Sequence, residues 1–337
     1  MGWWSTNMAA GGVLGNVFPA FLIGYGMTWR WAVGVEVFFL VAVDAVVAVL
    51  LVQHPNVVGF PSVQQIEERE VDVSSLRCTD LVRLDKDGKL ATSMPMQSSF
   101  SPDCRADRQS RNAHDKDVDT LHPNLTLWQM VSLPGVGGIC ISYFLHKLVR
   151  YGFMFWLPYF AVQELKYTTE IAGYVSSFFD IGGVLGTIVS GYVSDWMFHG
   201  RGRTRVILLF TVGMIISTFF FGALSHLFVM NTMLCTVVVA TVGFFAFAID
   251  ALMSGSFLLD YLEHIKLASQ AGAISGVVGG VGSAGSIFQG VFTVLLSSSS
   301  WSTLFYSFSV ATALAGLCLV RPLHRELERH RGSFSPV

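Results

Sequence analysis

The sequence predicts an all-α integral membrane protein with about eight transmembrane helices, and three observations carry that reading. Of its 337 residues 52% are apolar and 13% are charged, with a mean hydropathy of +0.56. The charged share is about half that of an ordinary soluble domain. Apolar runs of about 20 residues, the length needed to cross a bilayer, recur eight times. The Asp, Glu, Lys and Arg residues are densest in one stretch, 53–126.

The apolar runs are 8–27, 31–52, 136–162, 171–193, 206–227, 230–254, 272–296 and 304–320. No basic region precedes the first run, so no removable signal peptide is expected. Residues 53–126 add Ser, Pro and Asn to their charges and read as a largely disordered loop. Four regions follow: two helices in 1–52, a linker over 53–126, a six-helix bundle over 127–320 and a tail over 321–337. Gly182-x-x-x-Gly186 and Gly272-x-x-x-Gly276, followed by Gly279, Gly280, Gly282 and Gly285, predict close helix–helix approach and allow bending.

Orientation follows from Lys and Arg in the short loops. An even number of helices on each side of the linker puts the loops near 194–205 and 255–271 and the tail on the linker's side. That side holds Arg201, Arg203, Arg205, Lys266, Arg321, Arg325, Arg329 and Arg331, whereas the other holds Arg30 and Lys166. The linker side is therefore expected to be cytoplasmic, and the Asn124-Leu125-Thr126 sequon unglycosylated.

Several function classes are excluded. A net charge of −2 offers no bulk attraction for nucleic acid. The five cysteines are scattered without CxxC or metal-ligand spacing, so neither a disulfide framework nor a metal site is expected. No Walker motif supports ATP drive. The Gly279-Gly280-Val281-Gly282 stretch lies in an apolar helix rather than after a strand. No nucleophile–base set or paired carboxylates at workable spacing appear, so the sequence predicts neither an enzyme nor a bound cofactor.

Ionisable groups at membrane depth are costly and mark function. The third run holds the densest set: His146, Lys147 and Arg150, with Tyr143 and Tyr151 beside them. Lys147 and Arg150 share a helix face, three residues apart. Arg150 sits near the middle of its run, too deep to snorkel, and needs an anion. A phosphate suits it, because a planar guanidinium donates two parallel hydrogen bonds to oxyanions. Lys147 would add a point charge, with Tyr143 or Tyr151 donating to the same oxygens. An ion pair with a neighbouring acid, Asp180 or Asp250 for instance, serves equally well, and both readings stay open. Asp180 could pair with Lys147, accept a proton or fix helix packing. Asp250 could carry coupling or face a water-filled cavity. Glu36 and Asp44 receive no role, and His226 and His264 sit near segment ends.

Gly191-Tyr192-Val193-Ser194-Asp195, followed by Arg201, Arg203 and Arg205, resembles the signature loop of the major facilitator superfamily. There, Asp195 and the basic residues would pair with one another or with helix ends as two six-helix halves rock. Lys147-Leu148-Val149-Arg150-Tyr151-Gly152, running on through Phe155-Trp156-Leu157-Pro158, resembles the seventh helix of organophosphate:phosphate antiporters. Its Arg-Tyr-Gly core is similar to bacterial glycerol-3-phosphate and hexose-phosphate carriers. Its flanks are similar to the eukaryotic solute-carrier sugar-phosphate exchangers. Phe179-Asp180-Ile181-Gly182-Gly183, His54-Pro55-Asn56, the 301–306 segment and Leu323-His324-Arg325-Glu326-Leu327 also resemble the eukaryotic branch.

The resemblance implies the major facilitator fold, with the eight helices equivalent to helices 5–12 of twelve and the first four missing from this chain. It implies a monomeric secondary transporter exchanging a phosphorylated sugar or glycerol phosphate for inorganic phosphate by alternating access. The alternatives are a facilitator carrier of another small solute and a truncated, non-transporting membrane protein. Arg150 takes the position of the phosphate-binding arginine. By alignment of Trp4 and Val13-Leu14-Gly15, Asn7 stands where the family has a site histidine, and Gly279 replaces an acid. The endoplasmic reticulum or another internal membrane is expected ahead of the plasma membrane.

Overall fold

A computed structural model describes residues 2–50, 126–198, 203–254, 256–264 and 270–332. Its helices are α1 (Gly2–Gly24), α2 (Trp29–Leu50), α3 (Leu127–Ser132), α4 (Val136–Gln163), α5 (Thr169–Phe198), α6 (Arg203–Phe228), α7 (Thr232–Ser254), α8 (Ser256–His264), α9 (Ala271–Ser297) and α10 (Trp301–Gly332). The described residues form helices and connections, as an integral multi-pass membrane protein requires: in hydrocarbon every backbone polar group must be satisfied within its own segment. Among the described residues, seven helices are long and apolar enough to span a bilayer. The eighth predicted span, α4, is not among them, although its 28 residues give ample length. It is also the helix that carries His146, Lys147 and Arg150.

Two compact units are distinguished, Met1–Glu36 with Leu125–Val337, and Val37–Asn124. In the second unit the described residues are the end of α2, whose side chains, including Phe38, Phe39, Leu40 and Asp44, are exposed. The predicted linker, the sequon at Asn124, His54-Pro55-Asn56, Cys78, Cys104, Arg201 and Lys266 lie outside the described residues, as do the side chains of His264, Arg325, Arg329 and Arg331.

In the first unit, α4 is the hub. It packs against α9 and α10 on one side and α5 and α7 on the other, while α1 lies along α5 and α10 along α6. One half of α4 is sealed by aromatic rings. Phe153 meets Phe179, Phe221, Phe305 and Phe308 at centroid separations of 5.3 to 6.1 Å. Gly152 leaves room for Phe308, since a Cβ there would overlap its ring.

The two glycine runs behave differently. A Cβ on Gly182 or Gly186 would strike the backbone carbonyl of Ala240 or Phe244 of α7, and one on Gly243 would strike the carbonyl of Phe179. That is the close approach the spacing predicts. In α9 the expectation fails for Gly272, Gly276, Gly279 and Gly280, which face open space; Gly282 and Gly285 alone of that series press on α4, at Tyr143 and Phe144. Absence of a side chain permits close approach, but a facing helix is needed to use it.

Besides the short α3, two described helices go beyond the apolar runs. The 255–271 loop contains α8, whose Phe257, Leu258, Tyr261 and Leu262 are buried at helical spacing. Its Tyr261 hydroxyl donates to the Pro134 carbonyl at 2.7 Å, fastening α8 to the start of α4. Past the apolar run ending at residue 320, α10 continues to Gly332.

Candidate functional site

Arg150 lies 14 residues from the start of α4 and 13 from its end, roughly 20 Å of helix in either direction. It is 1% exposed. Its Nη1 donates to Asp250 Oδ2 at 2.5 Å. Its Nη2 reaches the Met8 thioether at 3.8 Å, a weak acceptor. The guanidinium carbon lies 4.0 Å from the Phe247 ring centroid and 5.3 Å from that of Tyr151, so two aromatic faces replace part of its lost hydration. The Arg150 Nε and Asp250 Oδ1 are buried without hydrogen-bond partners. Of the two anion sources open on sequence grounds, the structure brings Asp250 to the arginine.

Beside the pair is a cavity of about 170 Å³, lined by Asn7 and Met8 of α1, Arg150, Thr187 of α5, and Phe247, Asp250, Ala251 and Ser254 of α7. That equals roughly five or six liquid-water volumes at about 30 Å³ each. Helical spacing explains the lining: Phe247, Asp250, Ala251 and Ser254 stand at i, i+3, i+4 and i+7, one face of α7. Met8, Thr187, Phe247 and Ser254 were not anticipated as lining residues. For those on α7, the signal was that spacing around Asp250.

The other predicted residues are distributed as follows. Asn7 lines the cavity with its side-chain oxygen accepting from the Met8 amide at 2.7 Å. The Lys147 ammonium lies 4.8 Å from the centroid of the Tyr143 ring. Tyr143 is buried within electrostatic reach of Asp250 and Arg150. Asp180 does not pair with Lys147. It accepts from Asn16 Nδ2 at 2.9 Å, its other oxygen being buried without a partner. Gly12 permits this, since a Cβ there would overlap the Asp180 carboxylate. His146, also buried, meets the Ala246 carbonyl through Nε2 at 3.0 Å.

The signature-loop residues lie elsewhere. Asp195 is exposed near the end of α5. Arg203, at the start of α6, pairs with Asp260 of α8 at 2.8 Å rather than with Asp195. Arg205 is half-buried on the same turn of α6. Arg203 ties α6 to α8, and none of the three lines the Arg150 cavity.

Comparison with known proteins shows the family. The family model described as Major Facilitator Superfamily matches residues 1–288. The chain is 25% identical over 336 residues to glucose-6-phosphate exchanger SLC37A2 of Xenopus tropicalis, covering 97% of this chain and 62% of the relative. It is 26% identical over 361 residues to glucose-6-phosphate exchanger SLC37A1 of Homo sapiens, covering 97% and 61%. It is also 26% identical over 336 residues to an Arabidopsis thaliana protein provisionally named glycerol-3-phosphate transporter 2, covering 97% and 59%. The chain thus spans about three fifths of the length of these curated relatives.

Proposed function

The chain belongs to the Major Facilitator Superfamily, and from that premise we propose that it serves a secondary transporter exchanging a phosphorylated sugar or glycerol phosphate for inorganic phosphate. The observation that carries this reading is Arg150, buried at mid-helix with its Nε unpartnered beside a cavity large enough for a tetrahedral oxyanion. A guanidinium can grip two oxygens of such an anion at once, and a buried site strengthens the attraction. Lys147 and Tyr143 supply a further cation and a hydroxyl on the same helix, and Asn7 supplies an amide from α1. Asp180 and Asp250 are the acids whose contacts would change as access alternates. Asp195, Arg201, Arg203 and Arg205 act at the helix ends, where Arg203 already joins α6 to α8.

The relatives' names support a phosphorylated cargo. Alternating access is the way such folds move a solute past a central site. The loop charges support a cytoplasmic linker side, an internal membrane such as the endoplasmic reticulum is the proposed location, and a monomer is the proposed working unit.

The test is phosphate counterflow in phosphate-loaded liposomes carrying the protein. Exchange should be saturable, and Arg150→Leu should abolish it at equal protein incorporation. Undiminished exchange in Arg150→Leu overturns the anion-site assignment. A carrier of another small solute is the second reading, favoured by the fact that Asp250 already neutralises Arg150.

A further inference from the structure

We propose that Asp250 is an internal competitor of the transported anion: it holds Arg150 while the site is empty and must let go when an oxyanion binds. This rests on the reading of the Arg150 cavity as an oxyanion site, and it assigns Asp250 the task of setting that site's affinity.

The geometry of the pair is the starting point. A buried ion pair that serves packing alone compensates its desolvation by using both carboxylate oxygens and satisfying the remaining donors. Arg and carboxylate are shaped for a two-pronged contact. Here a single prong is made, from Nη1 to Oδ2. Nε has no partner, Oδ1 has no partner, and Nη2 has a thioether at 3.8 Å. Two edges of a fully buried guanidinium thus remain to be satisfied, next to a cavity that the same arginine lines.

Both partners have somewhere to go. An incoming oxyanion can take the Nε and Nη2 edge, replacing the thioether with two oxygens. The carboxylate, released from Nη1, keeps Tyr143 beside it and has Ser254, on its own helix face, lining the same cavity. Asp250 can therefore exchange one set of polar neighbours for another without leaving α7. The cation needs an anion at all times, because an unpaired buried charge is too costly. Asp250 supplies that anion when no ligand does.

Competition of this kind lowers apparent affinity by the fraction of time the site is available. A pair closed nine tenths of the time costs about tenfold in apparent Kd. Removing the carboxylate charge should therefore tighten anion binding, whereas removing any residue that merely holds the fold together should loosen it.

The experiment uses the full chain in detergent and radiolabelled inorganic phosphate. Wild type, Asp250→Asn, Asp250→Glu and Arg150→Gln are compared by equilibrium binding, with purification in phosphate to support Asp250→Asn. The expected result is about tenfold tighter phosphate binding in Asp250→Asn, weak wild-type-like binding in Asp250→Glu and none in Arg150→Gln. Unchanged or weaker binding in Asp250→Asn, with Arg150→Gln still inactive, overturns the competition and leaves the oxyanion site standing. Wild-type binding in Arg150→Gln, or no phosphate binding in any variant, overturns the oxyanion site itself. Should Asp250→Asn fail to fold even in phosphate, Asp250→Glu decides alone. Its carboxylate reaches one methylene further, so an unchanged or weaker affinity supports competition and a tenfold gain overturns it.

Discussion

Arg150–Asp250 and Arg203–Asp260 pair the same residue types on different helices, with different consequences. The first joins α4 to α7 with side chains 1% and 12% exposed; the second joins α6 to α8 with side chains 16% and 35% exposed. At the partly exposed pair, water and salt reach the carboxylate and can take its place, so the ion pair contributes little. At the buried pair neither water nor salt replaces a partner that leaves, so in the empty site each charge makes the other obligatory. Position in the membrane, rather than residue type, decides which pair constrains the molecule. The inner pair borders a cavity, and the outer one fastens a short amphipathic helix across helix ends.

The largest test of this contrast is to break the inner pair from one side. Arg150→Gln should destabilise the protein by about 3–5 kcal/mol, read from denaturant unfolding in detergent, because Asp250 is then buried alone. The double variant Arg150→Met with Asp250→Leu should recover most of that loss, to within about 1 kcal/mol of wild type. A double variant as unstable as the single one would show that the charges are held by more than each other.

Glycines sharpen the comparison in a different currency, with one residue type in two surroundings. Gly182→Ala must push α5 off the backbone of α7 and should cost about 1–3 kcal/mol. Gly279→Ala meets open space and should be neutral or stabilising by up to about 1 kcal/mol, since alanine is the better helix former. Equal effects at the two positions, measured by thermal unfolding, would remove the distinction between a packed run and an open one.

The smallest effect belongs to the outer pair. Asp260→Asn should change stability by less than about 1 kcal/mol, and the difference should vanish as sodium chloride is raised to several hundred millimolar. A larger or salt-insensitive loss would place Asp260 among the residues the fold cannot release.

Much of the fold was legible in the residues. Length and hydropathy are local properties, so the eight runs overlap eight long helices, with ends that differ by six residues at most apart from the extension of α10. The short helix α8 has no long apolar run to reveal it, because it is too short to span and its apolar residues sit among charges. The spacing of Phe257, Leu258, Tyr261 and Leu262 was its visible trace. At the site, the need of Arg150 for an anion was legible from its depth. The choice between Asp180 and Asp250 was not, because it depends on how α5 and α7 are rotated about α4, and no local pattern records that. Asn16, which takes Asp180 instead, drew no attention as an uncharged amide. The open glycines of α9 make the same point: spacing shows where approach is possible and is silent about what approaches.

The inner pair also governs how an empty site would respond to an electric field. Moving one elementary charge through a membrane costs or gains about 2.3 kcal/mol per 100 mV. A lone arginine carried from one face to the other would feel that in full. The Arg150–Asp250 pair carries no net charge, so displacing it as a unit would be indifferent to voltage, whereas separating Arg150 from Asp250 along the field would couple to it.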